Sequence, residues 1–349
     1  MIRAAQLGEA GADAGIEKWL GSHPKATNVQ QRALYQRLCA DFTIHGDYAP
    51  GAAACGKATA LGADDDQSAA NNRKLRNTPA IRAIGSGRIS LTPNGLGSRD
   101  ALIKVNGTSA PWLVDTGAQI AVVTQSLATE IGVRRLQGQI TVGSTTAPVQ
   151  GGLGIIDVLW IGGAALENVP VLVLPDAQLK IANLPQIRAI FGLPELVAFR
   201  RVEWLDKGKT LALGDEAEKV AAASPQVYWH KEGIGIPVST DLGTRGAHLD
   251  TGANDSYLRA PAHVLLGPAV EATAEVHKGR VGGAGGVVET NEKVYPTLGL
   301  TVAGIPLNFK KISINEQDHE GVARLGDDVI QQLTVLVLDF EHMRIEARK

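Results

Sequence analysis

The chain has 349 residues, 44% of them apolar and 20% charged, with 34 Lys and Arg against 36 Asp and Glu. That balance excludes wholesale disorder, and a net charge of -2 carries neither the basic excess of a nucleic-acid binder nor an acidic tail. No apolar run approaches the ~20 residues of a membrane-spanning helix, and the length suits two or three folded units that need neither metal nor disulfide to hold a core.

The first 61 residues are Ala-rich and read as helix. Residues 14–20 are stopped by Gly21-Ser22-His23-Pro24. Residues 30–45 place Leu34, Leu38 and Phe42 on one stripe, broken by Gly46-Asp47. Pro50 then suits the first turn of a helix running to about residue 61. This hairpin resembles one tetratricopeptide unit, although such repeats usually need about three copies to stand alone; generic helical packing on the next domain explains it as well. Cys39 and Cys55 lie equidistant from the break, so a disulfide between them is geometrically reasonable, as is a contact of two small buried residues. A disulfide would imply an oxidising compartment, periplasmic or extracellular. Met1-Ile2-Arg3 opens onto no secretory leader, so a cytoplasmic chain, or one whose export signal was removed, both fit.

Residues 62–84, with Asp64-Asp65-Asp66 and Asn71-Asn72, lack periodicity and read as a linker. From residue 85 the pattern is short β-branched runs bounded by Gly, Pro or Asn, at 89–91, 102–105, 169–174, 234–238 and 335–338. Of the 40 glycines, 32 lie in this β region, which locates the chain's one compositional excess.

The β region repeats itself. Leu113-Val114-Asp115-Thr116-Gly117-Ala118 is echoed by His248-Leu249-Asp250-Thr251-Gly252-Ala253, 135 residues later. Three landmarks follow each copy in the same order. The first is a Gly-rich element, Gly151-Gly152-Leu153-Gly154 and then Gly282-Gly283-Ala284-Gly285-Gly286. The second is Ile161-Gly162-Gly163-Ala164-Ala165-Leu166 and then Val302-Ala303-Gly304-Ile305-Pro306-Leu307. The third is Ile190-Phe191-Gly192 and then Arg324-Leu325-Gly326, ending 77 and 76 residues after its aspartate. Two homologous lobes follow, 85–216 and 217–349.

Over residues 86–348 this pattern resembles the aspartic peptidases, and the Ala after each Asp-Thr-Gly is most similar to the retropepsin-like family. The resemblance implies a mainly β, bilobal acid-protease fold of two β-barrel-like lobes, here preceded by a small α-helical region. It implies that Asp115 and Asp250 share one proton and activate a water for peptide hydrolysis, with no cofactor. Thr116 and Thr251 would tie the two loops together, while Gly117 and Gly252 would permit tight turns. Ala118 and Ala253 lack the hydroxyl of pepsin-type loops, which predicts carboxyls with fewer donors and a mildly acidic optimum, above about pH 3. Gly151, Gly152, Gly154, Gly283, Gly285 and Gly286 would form flap tips, unless they are loose turns; neither flap region carries the tyrosine of pepsins. Gly192 and Gly326 would support the loops from behind. Arg324 departs from the apolar residue usual there.

The eight histidines have no metal-ligand spacing, and no metal site is expected; His248 reads as a packed strand residue. The expected partner is a peptide or protein substrate, with a protein partner on the N-terminal helices as a further option and no nucleic acid or membrane span. A catalytically silent or latent peptide-binding protein is the alternative, as is a scaffold acting through its helices.

Overall fold

The computed structural model describes residues 1–8, 11–64, 67–142, 149–180, 185–230, 233–283 and 286–349; residues 67, 142, 279–283 and 286–291 are described by backbone alone. The chain opens with five helices: α1 (Ile2–Gln6), α2 (Ala12–Ser22), α3 (Asn28–Ile44), α4 (Tyr48–Ala60) and α5 (Gln67–Leu75). Thr27 starts α3 through a capping box. Its hydroxyl accepts from the Gln30 amide, and Gln30 Oε1 accepts from the Thr27 amide. Gly46, at φ 69°, supplies the left-handed residue that ends α3. The α3–α4 hairpin is closed by a disulfide between Cys39 and Cys55, whose Cα atoms are 4.8 Å apart. Around it Ile16, Leu20, Leu34, Leu38 and Ala54 form a small separate core.

Helix α5 corrects the linker reading of residues 62–84. Its sequence is polar, so no apolar stripe announces it, yet Asn71 and Asn72 are buried. Asn72 Nδ2 donates to Thr43 Oγ1 at 2.5 Å and to the Ser68 carbonyl at 2.8 Å. The bond to Thr43 ties α5 to α3, beside the apolar contacts of Ala69 and Leu75. Gly51 makes the approach feasible, since a Cβ there would overlap the Asn72 amide.

Eleven strands follow: β1 (Arg82–Ile84), β2 (Gly87–Pro93), β3 (Arg99–Val105), β4 (Thr108–Val114), β5 (Ala121–Thr124), β6 (Arg134–Val142), β7 (Val149–Ile161), β8 (Ala164–Leu174), β9 (Ala189–Phe191), β10 (Arg201–Leu205) and β11 (Thr210–Leu213). Helices α6 (Gln125–Glu130) and α7 (Leu193–Ala198) lie among them. The second lobe carries β12 (Tyr228–His230), β13 (Gly233–Thr240), β14 (Gly243–Leu249), β15 (Tyr257–Arg259), α8 (Pro268–Glu271), β16 (Glu275–Gly283), β17 (Gly286–Val302), β18 (Ile305–Asn315), β19 (Ala323–Leu325), α9 (Asp327–Ile330), β20 (Val335–Asp339) and β21 (Arg344–Arg348).

The two lobes repeat one topology. In each, a strand ending in the acidic loop (β4, β14) runs parallel to a short strand from the end of the lobe (β9, β19). That strand in turn pairs antiparallel with the strand leaving the loop (β5, β15). The last hairpin crosses the expected lobe boundary: β20 and β21 continue the first lobe's sheet in the order β21-β20-β10-β11-β2. β10 and β20 are equivalent strands paired antiparallel about Glu203 and Val337, so an approximate twofold runs between the lobes. The strands of the shared sheet thus cross the boundary at residue 217, and one apolar cluster runs through both lobes.

The helical layer packs on β6, α7 and β12. Tyr48 and Leu75 join the apolar cluster of Ile120, Val122, Ile140 and Leu153, and the His45 ring stands edge-on to Trp229 at 5.6 Å.

Candidate active site

Asp115 and Asp250 end two strands whose backbone is held from behind. The Asp115 amide donates to the Phe191 carbonyl at 2.9 Å, and the Asp250 amide to the Leu325 carbonyl at 2.8 Å. Each loop is then pinned to the first residue of the short helix that follows its supporting glycine. The Leu193 amide donates to Ala118 O and the Asp327 amide to Ala253 O, both at 2.8 Å. A Cβ at Gly192 or Gly326 would come within 2.8 or 2.9 Å of those same carbonyls. Both glycines lie behind the acidic loops, where the close backbone approach leaves no room for a Cβ.

The threonines cross the interface reciprocally. Thr116 Oγ1 donates to Leu249 O at 2.7 Å and accepts from the Thr251 amide at 3.0 Å. Thr251 Oγ1 donates to Val114 O at 2.8 Å and accepts from the Thr116 amide at 3.1 Å. Both side chains are buried, and the four hydrogen bonds let two hydroxyls, two amides and two carbonyls from the two lobes satisfy each other.

That network brings the two carboxyls into mutual hydrogen-bonding contact. Asp115 Oδ1 accepts from the Gly117 amide at 2.8 Å; Asp250 Oδ1 accepts from the Gly252 and Ala253 amides at 3.1 and 3.2 Å. Each glycine faces the other lobe's aspartate: a Cβ on Gly117 would lie 2.6 Å from the Asp250 carboxyl carbon, and one on Gly252 would overlap the Asp115 carboxylate. Desolvation pushes the Asp115 carboxyl well above the usual range, and the negative charge and hydrogen bond of Asp250 push it further. Arg324 opposes that rise more weakly.

Arg324 itself makes an ion pair with the other carboxyl, Nη1 to Asp250 Oδ2 at 2.9 Å. The sequence marked it as a break in an apolar pattern and assigned its element to support alone. Ala253 supplies no hydroxyl to Asp250, and a guanidinium from the neighbouring strand occupies the carboxylate instead. The expectation of carboxyls with fewer donors thus meets an exception at Asp250, where Arg324 adds one to the two backbone amides.

Further contacts between the lobes carried no sequence signal. Ser98 Oγ donates to Gly252 O at 2.9 Å, and Arg99 Nε pairs with the buried Asp327 carboxylate at 3.3 Å. Gly97 faces the Asn254 amide with φ 86°. These residues sit 154 or more positions from their partners in sequence, where no local pattern links them. Glu195 is also new. It is fully buried, its Oε2 accepts from the Gly192 amide at 3.0 Å, and burial raises it to about 7 against the backbone bonds that lower it.

The glycine-rich elements divide. Gly151, Gly152 and Gly154 lie inside β7, paired with β6 and β8, and not at a hairpin tip; the β6–β7 turn falls at 143–148, outside the described residues. Packing explains two of them, since a Cβ at Gly151 would meet Val173 O at 2.8 Å and one at Gly154 would overlap Val133. In the second lobe Gly283 and Gly286 are paired across the end of the β16–β17 hairpin, while Gly285 lies outside the described residues. Among the described residues no cluster of His, Cys, Asp and Glu could hold a metal ion.

Residues 101–194 match the family described as Aspartyl protease. No curated protein matches the chain in sequence. Among solved structures, basic 7S globulin from soybean is similar with a TM-score of 0.52 at 12% identity, covering 76% of this chain and 95% of that one. The aspartic proteinase from Irpex lacteus is similar with a TM-score of 0.49 at 12% identity, over 76% and 97%. The fold is the bilobal aspartic-protease fold. The matched stretch contains the first acidic loop and its supporting strand, which supports an aspartic-protease-like family and a peptidase-like function.

Proposed function

We propose that the protein is an aspartic endopeptidase that hydrolyses peptide bonds with a water held by Asp115 and Asp250. The observation that carries this reading is the contact of the two carboxyls, one from each lobe, fixed by reciprocal threonine bonds. Two carboxyls so close cannot both ionise cheaply, so over a range of pH they hold one proton between them. The ionised member takes a proton from water as the water oxygen bonds to the scissile carbonyl carbon. The protonated member gives its proton to the carbonyl oxygen, forming a gem-diol. In the second step the C–N bond breaks and the nitrogen takes the first carboxyl's proton. The second carboxylate recovers a proton from the diol, which restores the starting state.

The single-chain arrangement, with each lobe supplying one Asp-Thr-Gly-Ala, supports a retropepsin-like site that needs no dimer. The β16–β17 hairpin, with exposed residues 275–278 along β16, is suited to closing over an extended peptide. The disulfide in the helical layer favours an oxidising compartment such as a periplasm or the cell exterior. The helices remain a candidate surface for a protein partner. The silent-protein alternative is not favoured, because both carboxyls and both threonines are present and joined.

The test is incubation with a mixed peptide library from about pH 3 to pH 7, beside Asp115→Asn and Asp250→Asn. The expected result is cleavage by the parent chain and its loss in both variants. Equal cleavage by either variant would reject the dyad, and absence of cleavage in all three would reject the enzyme.

A further inference from the structure

Equivalent positions around the two loops differ in one rung of the sheet. In the first lobe the rung crosses four strands as Leu113, Ile190, Val122 and Leu172. In the second the same rung reads His248, Arg324, Tyr257 and Ser313. Laterally paired residues point to the same face, so Arg324 stands where Ile190 stands in the other lobe. Its guanidinium packs 6.0 Å from the centre of the Tyr257 ring and reaches Asp250 Oδ2 at 2.9 Å. The first lobe's rung offers Asp115 no cation. Arg259 cannot substitute, because it is fully buried and paired to Asp318 at 2.8 Å.

We infer that Arg324 is a positioning residue that breaks the symmetry of the dyad, holding Asp250 as the ionised member and leaving the shared proton on Asp115. The inference rests on the peptidase reading for its kinetic consequence, but its electrostatic content is independent of turnover. A cation within hydrogen-bond distance of one carboxylate stabilises that ion selectively. Asp250 is then the group that takes the proton from water, and Asp115 the group that donates to the carbonyl oxygen. The raised affinity of Asp115 for its proton agrees in direction.

The sign of the pH effect follows. Activity needs one proton on the pair, so it falls at low pH when the anion is protonated and at high pH when the second proton leaves. Arg324 stabilises the ionised forms in both steps, so removing it moves both limbs to higher pH. The other charged or titratable groups around the pair are His248 on β14, Tyr257 and Arg259 on β15, Asp318 beyond β18, the Arg99–Asp327 pair and Asp328 at α9, and Glu195 on α7. All are present in every variant, so their titrations are common to the comparison.

The experiment compares the full chain with Arg324→Ile, which copies the first lobe, Arg324→Gln, which keeps a neutral donor, and Arg324→Lys, which keeps charge. Two readouts are taken: the pH–rate profile on a peptide the parent cleaves, and a carboxyl NMR titration of chain labelled with 13C-aspartate. The expected result is an upward displacement of both limbs and of the dyad titration by about one pH unit or more in the Ile and Gln variants, with Lys close to the parent. Unchanged titration in Ile and Gln overturns the inference, and so does an equal shift in all three variants, which would mark loss of packing. If Ile fails to fold, Gln decides alone. If the parent cleaves nothing, the peptidase reading fails, while the NMR titration still accepts or overturns the role of Arg324.

Discussion

The two lobes build one machine from different materials. Behind the first acidic loop the sheet presents Leu113, Ile190, Val122 and Leu172; behind the second it presents His248, Arg324, Tyr257 and Ser313. The supporting glycines are likewise served in different ways. The Gly192 amide is bonded by Glu195 from α7, whereas the Gly326 amide is bonded by Ser256 Oγ, which donates in turn to Asp328 Oδ1 at 2.5 Å. What stays identical is the backbone contact and the threonine exchange. The comparison teaches that duplication preserves groups that must bond across the twofold, because each copy's partner is the other copy. Side chains that bond within a lobe are free to diverge where the backbone contacts there do not depend on them, and that divergence gives the two aspartates different roles.

The strongest way to sharpen this comparison is to remove each carboxyl. Asp115→Asn and Asp250→Asn should each reduce kcat/KM on the order of 10⁴-fold, read with a quenched peptide. Only Asp250→Asn strands a guanidinium, so its unfolding free energy should fall further, by about 1–3 kcal/mol relative to Asp115→Asn. Equal losses of stability would break the claim that the lobes differ here.

The threonines offer the opposite expectation. Thr116→Val and Thr251→Val each delete a hydroxyl that serves two buried backbone groups, so each should cost about 2–4 kcal/mol in denaturant unfolding. The two losses should match within error. A marked inequality would show that the exchange is not the symmetric element it is taken for.

Glu195 gives a pH test confined to the first lobe. Its folded value of about 7 lies above the ordinary 4.5, so its contribution to stability is fully present below about pH 4.5 and is lost as pH rises toward 7. The loss should reach about 3 kcal/mol, and Glu195→Gln should flatten that part of the stability–pH curve. The same slope in parent and variant would assign it to other groups.

The smallest effect on the site should come from the helical layer. Reduction of the Cys39–Cys55 bond opens a 16-residue separation and should destabilise the helices by about 3 kcal/mol, seen as a lower melting temperature. Cleavage rate under native conditions should stay the same. A parallel loss of activity would mean that the layer holds the β6–β7 side of the cleft in shape.

Much of this was legible in the sequence because it depends on short-range pattern. The repeated Asp-Thr-Gly-Ala, the ordered landmarks after it, the helix breaks and the symmetric placement of Cys39 and Cys55 about one of them are all local or periodic. Helix α5 was not legible, since its buried positions mix two asparagines with only Ala69 and Leu75, which make no apolar stripe. The Gly151–Gly154 segment was misread as a tip because a glycine needed for sheet packing and one needed for a turn look the same in one dimension.

By itself, then, the sequence determined the duplicated β architecture, the two aspartates, the two threonines and the loops that carry them. Each is written twice in a short motif with its own turn chemistry. Only the tertiary structure decided that Arg324 reaches Asp250, that Ser98 locks onto the second loop and Arg99 onto α9, and that the last hairpin completes the first lobe's sheet. Those contacts join residues from different strands or different lobes, and charge–charge distance is set by how the strands register and pack. A lone arginine in an apolar run is a visible anomaly in sequence; its partner exists only once the sheet has formed.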